Sequence, residues 1–447
     1  MKAARALREV FHVTDDGHRG AAVKRFCALS LVICASVSSA QSTDPLVQPQ
    51  NLVYQGGFRV PAVSCSDIAP NDWQCFHYGG EAMTYYGADN SLYVGGHPYG
   101  NKVAEISIPS LSIGGTVSSY DTATVLQQFV DVSEGNLAKV CTRTPCPLQL
   151  SGLLVVGSTL VFAPRHTYDA GTPPSQTTSH FTHSLNLSTA GHNGPYRVGG
   201  TYPGWVDSYM GTIPSTWQAK LRGAYFTGGC CSAIASIQSN GPAAFVFDPT
   251  QLGTTVPLPT TGIVGYPAPY GLGGGKWNSN SSLQNSTTQI HGAAFPSGTR
   301  SLLFFGRQGV GPFCYGAGTA TASLAGTTVP GTNRVPYCYD PAGVDGKGPH
   351  AYPYVYEIWA YDANDLLRVS RGSKQMYAVA PYATWQLHPP FENVADNHFA
   401  GGVGYDSTNQ IIYVAFRQED PINGPPDLPV IGAYKISFSG PKASQSH

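Results

Sequence analysis

Five side chains able to grip an anion or move a proton recur at matched points along this chain: His97, Arg165, Gln238, Arg307 and Arg417. Each closes a copy of one short pattern, in which a small-residue strand is followed by a turn and a β-rich strand. The clearest copies read EAMTYYGADNSLYVGGH from Glu81, HGAAFPSGTRSLLFFGR from His291 and GGVGYDSTNQIIYVAFR from Gly401. Fifteen residues separate Gly292 from Arg307, Gly402 from Arg417 and Gly223 from Gln238; Glu81 to His97 is one longer and Gly152 to Arg165 two shorter, differences that a hairpin turn absorbs.

Neighbouring residues enlarge the set: His77 and Glu81 in the first copy, His166 in the second, Arg222 in the third, His291 in the fourth and His398 in the fifth. A guanidinium holds a carboxylate, sulfate or phosphate through two hydrogen bonds, so the pattern points to a small-molecule or glycan ligand with an acidic group. Glu81, Arg165, Arg222, Gln238, Arg307, His398 and Arg417 are the expected binding residues, and His97, His166 and His291 the candidates for proton transfer. The plainer alternative is that these charges pair locally, with Glu81, Glu419 and Asp420 as partners.

The elements that must position these residues can be counted. A third strand follows each copy, at 103–108, 181–187, 243–247, 354–361 and 431–438, and a further extended piece at 127–132, 196–202, 261–266 and 383–387. The fifth copy lacks an outer strand, and 52–60 (LVYQGGFRV) is free to supply it. This layout resembles the β-propeller superfamily, in which an N-terminal strand completes the last blade. The resemblance implies an all-β fold, a five-bladed β-propeller over 41–440 whose first strands line a channel and whose recurrent polar ends share one face. Six blades are the alternative, since the interval before the fifth copy is long, and a β-sandwich is another. No WD or kelch signature names a family within the superfamily.

Three reactions can be set against these positions. A glycosidase needs two facing carboxylates, and only Glu81 stands at the head of a copy, with Gly152, Gly223, Gly292 and Gly402 at the equivalents. A uronate polysaccharide lyase needs a cation on the carboxylate and a base beside it, which arginine and histidine supply. Quinoprotein alcohol dehydrogenases are weakly similar through the adjacent pair Cys230–Cys231, but their tryptophan repeats are missing. A protein-interaction scaffold is the non-catalytic alternative. No motif names a cofactor.

The cysteines point to export. An apolar stretch from Cys27 to Val37 follows Lys24 and Arg25 and ends at Ser38-Ser39-Ala40, the outline of a secretory signal over 23–40. Residues 1–22 then read as a mis-assigned extension, with translation starting at Val23. The mature chain is expected to be secreted or periplasmic. Eight cysteines remain beyond the signal, and their spacing suggests the disulfides Cys65–Cys75, Cys141–Cys146, Cys230–Cys231 and Cys314–Cys338 rather than a metal site. The register places Cys230–Cys231 in a turn on the face opposite the polar ends.

An insertion at 309–352 rich in tyrosine could stack on sugars or cap itself. GLGGGK at 271–276 lacks P-loop spacing, and 441–447 reads as a disordered tail. Gly and Pro make up about a fifth of the 447 residues and net charge is −1, which argues against nucleic acid held by bulk electrostatics. No membrane span and a monomeric state are expected.

Overall fold

The computed structural model describes residues 41–63, 65, 72–200, 202–231, 236–274, 281–344, 346–391, 398–421 and 427–438. The expected signal, the extension before it and the C-terminal tail lie outside the described residues. Among those described, the protein is almost wholly β, with helices only at Ser215–Leu221 and Ala363–Ser370 and short 3-10 turns.

Five four-stranded antiparallel sheets carry the fold. The first runs Met83–Tyr86, Ser91–Gly95, Val103–Ser107, Val125–Val130; the second Leu148–Val156, Thr159–His166, His180–Ser184, Asn193–Tyr196. The third runs Met210–Thr212, Tyr225–Thr227, Ala244–Phe247, Thr261–Val264; the fourth Gln289–Ala294, Ser301–Gly309, Tyr354–Asp362, Ala383–Leu387. In the fifth, Ala400–Asp406, Ile411–Asp420 and Leu428–Ile436 are completed by Leu52–Arg59, which pairs with Leu428–Ile436 from the outside.

The first strands touch in a closed cycle. Met83–Tyr86 meets Leu148–Val156, which meets Met210–Thr212, then Gln289–Ala294, then Ala400–Asp406, which returns to Met83–Tyr86. The apolar faces are buried between neighbouring sheets in the same cyclic order. Tyr93 and Phe162 join the first and second sheets, Val161 and Phe245 the second and third, Phe226 and Phe304 the third and fourth. Phe305 and Phe416 join the fourth and fifth, and Phe58, Leu92 and Ile431 join the fifth to the first. The arrangement is propeller-like, with each sheet burying both faces against its neighbours.

Close approach of the first strands explains the recurrent glycines. A Cβ on Gly152 would lie 1.9 Å from the Ser208 carbonyl oxygen, one on Gly292 2.3 Å from Val403 Cγ2, and one on Gly402 2.3 Å from the Met83 nitrogen. Pairing register also shifts here, between Leu150 and Gly152, Ile290 and Gly292, and Ala400 and Val403. Such bulges bend a strand and re-aim one side chain.

In the third sheet the register differs from expectation. The first strand is Met210–Thr212, and Tyr225–Thr227 is the second, not the first. Tyr209 stands where the second, fourth and fifth sheets have glycine, so the marker is missing there. Its hydroxyl spans to Ala243, donating to the carbonyl at 2.9 Å and accepting from the amide at 3.0 Å. Two corrections follow. Arg222 lies on the connection between first and second strands, in a left-handed helix cap with φ 68°, at the face opposite Arg165, Arg307 and Arg417. Cys230–Cys231 follows the second strand and is therefore on the same face as Arg165.

The insertion in the fourth sheet folds as a three-stranded sheet of Cys314–Thr319, Tyr337–Tyr339 and Lys347–His350. Its aromatics contact one another, Tyr352 meeting Tyr339 and Tyr354 edge-on at 5.8 and 6.1 Å.

Candidate site at the channel mouth

The residue two places before Met83, Leu153, Met210, Ala293 and Val403 is Glu81, Ser151, Ser208, His291 and Gly401 respectively. Ser151, His291 and Gly401 fall within the register shifts of their sheets, and four of the five positions carry polar side chains that meet. The Ser151 and Ser208 hydroxyls lie 2.6 Å apart, and Ser151 Oγ donates to Glu81 Oε1 at 3.3 Å. His291 Nδ1 stands 3.6 Å from the same oxygen. Gly401 completes the ring; a Cβ there would lie 2.1 Å from the Gly80 carbonyl oxygen.

Two arginines from the ends of second strands reach into this ring. Arg165 Nε donates to Glu81 Oε1 at 2.7 Å and its Nη2 to Gln149 Oε1 at 2.9 Å. Arg417 Nη1 donates to Glu81 Oε2 at 3.2 Å and its Nη2 to the Tyr78 carbonyl at 2.8 Å. Arg307 sits between two rings, 4.3 Å from Tyr354 and 4.1 Å from Phe399, and Phe399 also lies 5.5 Å from Arg417. Planar guanidinium stacks well on aromatic faces.

Burial divides the charge states. Desolvation would raise the Glu81 carboxyl, but the permanently charged Arg165 and Arg417 outweigh it and hold it at about 2. Burial lowers His291 to about 3, with the surrounding arginines adding to the effect against Glu81, so the imidazole is neutral at pH 7. Burial also pulls the arginines Arg307, to about 10, and Arg417 downward. Asp207, next to Ser208, is pushed the other way: burial raises its carboxyl to about 7, against the opposing pull of Arg165. Two buried polar atoms in this cluster, Arg417 Nε and His291 Nδ1, lack a hydrogen-bond partner, as does Asp207 Oδ2, whose carboxyl lies beside Gly229 and Gln176. Buried orphans of this kind are uncommon in folded proteins.

The other expected residues occupy different surroundings on the face. His97 stacks on Trp73 at 4.3 Å, and its Nδ1 accepts from the Tyr99 amide at 3.1 Å. His77 Nδ1 lies 2.5 Å from Asp427 Oδ2. His166 and Gln238 line a narrow cleft with Asp169 and Gln176. His398 packs its ring against Tyr356 at 4.9 Å. Cys141, Cys146 and His166 bring ligand-type atoms within 4.8 Å of one another, but the two sulfurs are joined in a disulfide and are not thiolate donors. The other three cysteine pairs are also bonded.

The sequence pattern did not reveal Asp207, Ser208 or Trp73. Asp207 and Ser208 precede the strand that the missing glycine concealed, and Trp73 lies outside any repeat.

No protein-family model matches the chain, and comparison with curated proteins finds no match. Among solved structures, it is similar to a glycosyl hydrolase from Bacteroides ovatus at TM-score 0.38 and 13% identity, over 88% of this chain and 96% of that one. A member of the GH130 family, described as mannoside phosphorylases and hydrolases targeting β-1,2 mannosidic linkages in Candida mannan, aligns at 0.37 and 13% over 87% and 96%. A β-propeller domain from Myceliophteria thermophila aligns at 0.28 and 4% over 80% and 83%. At these scores the likeness carries no conclusion about activity.

Proposed function

We propose that this is an exported five-bladed β-propeller that binds an acidic carbohydrate at the channel mouth and cleaves it by elimination, as a uronate lyase does. Five sheets in a closed cycle support five blades over six, because the three-stranded sheet is an insertion inside the fourth sheet. The disulfides support export, with the signal over 23–40.

The chemistry rests on the three orphan atoms, which have three complementary characters. Arg417 Nε is a cationic donor for a sugar carboxylate. His291 Nε2 lies 3.4 Å from Gln289 Oε1, and the reaction uses the tautomer in which Nε2 donates there and Nδ1 keeps its lone pair. Asp207 is a carboxyl that retains its proton near neutrality. In the reaction, His291 Nδ1 takes the proton from the carbon bearing the carboxylate, and that electron pair forms a carbon–carbon double bond. The bond to the leaving sugar oxygen breaks, and Asp207 Oδ2 supplies that oxygen with its proton. Glu81, 3.6 Å from Nδ1, stabilises the imidazolium so formed. Solvent then returns the proton from His291 to Asp207.

Incubating the mature chain with a panel of uronate polysaccharides tests this reading. A rising ultraviolet absorbance from the unsaturated uronate end, lost in His291→Ala and Asp207→Asn, is expected. No absorbance rise across the panel overturns the lyase reading. New reducing ends without that absorbance would indicate hydrolysis instead, a second reading favoured by the opposed charge states of Glu81 and Asp207. Absence of any glycan binding would leave the scaffold role.

A further inference from the structure

Beside the channel mouth lies an aromatic group that the proposed reaction does not use. Trp73 and His97 stack at 4.3 Å with their planes 20° apart, and Tyr99 meets the Trp73 edge at 5.6 Å. Tyr78 stands edge-on to His97 at 5.8 Å. Its two tyrosines are open to solvent, Tyr99 77% exposed and Tyr78 45%, Trp73 is half-buried, and His97 is buried behind them. Aromatic rings clustered at the surface, unlike single exposed ones, mark a surface suited to binding.

The backbone is shaped to hold these rings in place. Trp73 has φ 46° and Tyr78 φ 57°, left-handed conformations that cost energy for bulky residues and persist only where the surroundings enforce them. The Asn101 side chain ties the Tyr99 turn to the second sheet, accepting from the Leu150 amide at 2.6 Å and donating to the Leu148 carbonyl at 3.2 Å. The Tyr78 amide donates to the Asp427 carbonyl at 2.6 Å. Burial, aided by His77, lowers the His97 basicity, which keeps its ring neutral.

The platform is continuous with the channel mouth. Arg417 joins them, with Nη1 on Glu81 and Nη2 on the Tyr78 carbonyl.

We propose that Trp73, Tyr78 and Tyr99, backed by the buried His97, form a second sugar subsite, which stacks a neighbouring pyranose ring of the same glycan whose acidic unit lies over Glu81. Rigid flat faces with polar tips match the alternating C–H faces and hydroxyl rims of a pyranose, whereas a protein partner would gain from a broader apolar surface. The assignment rests on the acidic-carbohydrate reading above, and the test separates the two.

Calorimetric titration in the Asp207→Asn background, which slows turnover, compares a mono-uronate, an acidic trisaccharide and a neutral trisaccharide. The acidic trisaccharide is expected to bind at least about tenfold tighter than the mono-uronate, and Trp73→Ala or Tyr99→Ala to abolish that gain while leaving mono-uronate affinity unchanged. Circular dichroism and melting temperature establish that each variant is folded. Unchanged trisaccharide affinity in both folded variants overturns the subsite, as does an equal loss for the mono-uronate, which would make the rings a support for the channel mouth. Binding of the neutral trisaccharide alone, sensitive to Trp73→Ala, would keep the subsite and reject the acidic reading. No binding of any of the three rejects both.

Discussion

Arg165 and Glu81 belong to different sheets, 84 residues apart in sequence, yet Nε and Oε1 meet at 2.7 Å with side chains 18% and 4% exposed. Through this pair the second sheet holds the first at the channel mouth, and Arg417 adds the fifth. The carboxylate is a structural hub that ties three sheets together.

The Glu81 carboxyl is depressed to about 2 in the folded chain, below its unfolded value. Its stabilisation is therefore complete above the unfolded value of roughly 4.3 and is lost as pH falls through about 2, a gap corresponding to about 3 kcal/mol. Glu81→Gln should lower stability at pH 7 by about 3 kcal/mol and flatten the acid limb of the pH profile. Urea denaturation between pH 2 and pH 7 measures this; an acid limb identical to that of the parent would contradict the assignment.

Asp207 has the opposite sign. Burial raises its carboxyl to about 7, so the folded chain retains a proton that the unfolded chain has released. The associated stability is present below the unfolded value of about 3.9 and is lost as pH rises through about 7. Asp207→Asn should match the parent near pH 4 and be more stable by about 2–4 kcal/mol at pH 8, while glycan turnover falls by about 10²–10⁴. Thermal melts at both pH values, with the absorbance assay alongside, check the pair of outcomes. A variant less stable at pH 8 would sink the protonated-acid reading.

The closing strand should matter more than its position near the chain start suggests. Phe58 is fully buried among side chains of the fifth and first sheets, whereas Val53, on the same strand, is 41% exposed. Phe58→Ala is expected to cost about 3–5 kcal/mol and Val53→Ala under about 0.5 kcal/mol. Equal denaturation midpoints for the two variants would mean that the cycle does not depend on this strand.

At the base of the insertion, Asp340 accepts from the Tyr354 hydroxyl at 2.6 Å and lies 2.7 Å from His350 Nδ1. Burial works against the imidazolium, but the Asp340 hydrogen bond prevails and raises His350. That contribution is present below the unfolded value of about 6.5 and is lost as pH rises through the raised folded value. NMR titration should place His350 above the ordinary histidine value, and Asp340→Asn should bring it down and loosen Tyr354 beneath Arg307. A His350 titration unaffected by Asp340→Asn would refute the coupling.

Much of the architecture was legible because close packing leaves marks on local sequence. Gly152, Gly292 and Gly402 recur because an adjoining first strand occupies the space of a side chain, and the alternating strands after them bury both faces. The same device failed at Tyr209, where the chain solved the contact with an aromatic ring bonded to Ala243. Arg222 and Cys230–Cys231 were therefore assigned to the wrong faces, and Asp207 was overlooked. Arg165, Arg307 and Arg417 stand on one face, as their spacing implied, but His97 and His166 turn toward Trp73 and Gln176 rather than Glu81.

The sequence by itself determined the repeated strand–turn–strand unit, the outer strand contributed from 52–59, and the strand ends that carry arginine. These follow from side-chain alternation and turn chemistry, which act over a few residues. Only the tertiary structure decided which polar groups meet and in what protonation state. The Glu81–Arg165–Arg417 cluster, the neutral His291 and the proton held by Asp207 depend on distances and desolvation between strands far apart in the chain. Local patterning does not encode those electrostatic energies, because they arise only when the sheets close into a cycle and exclude water.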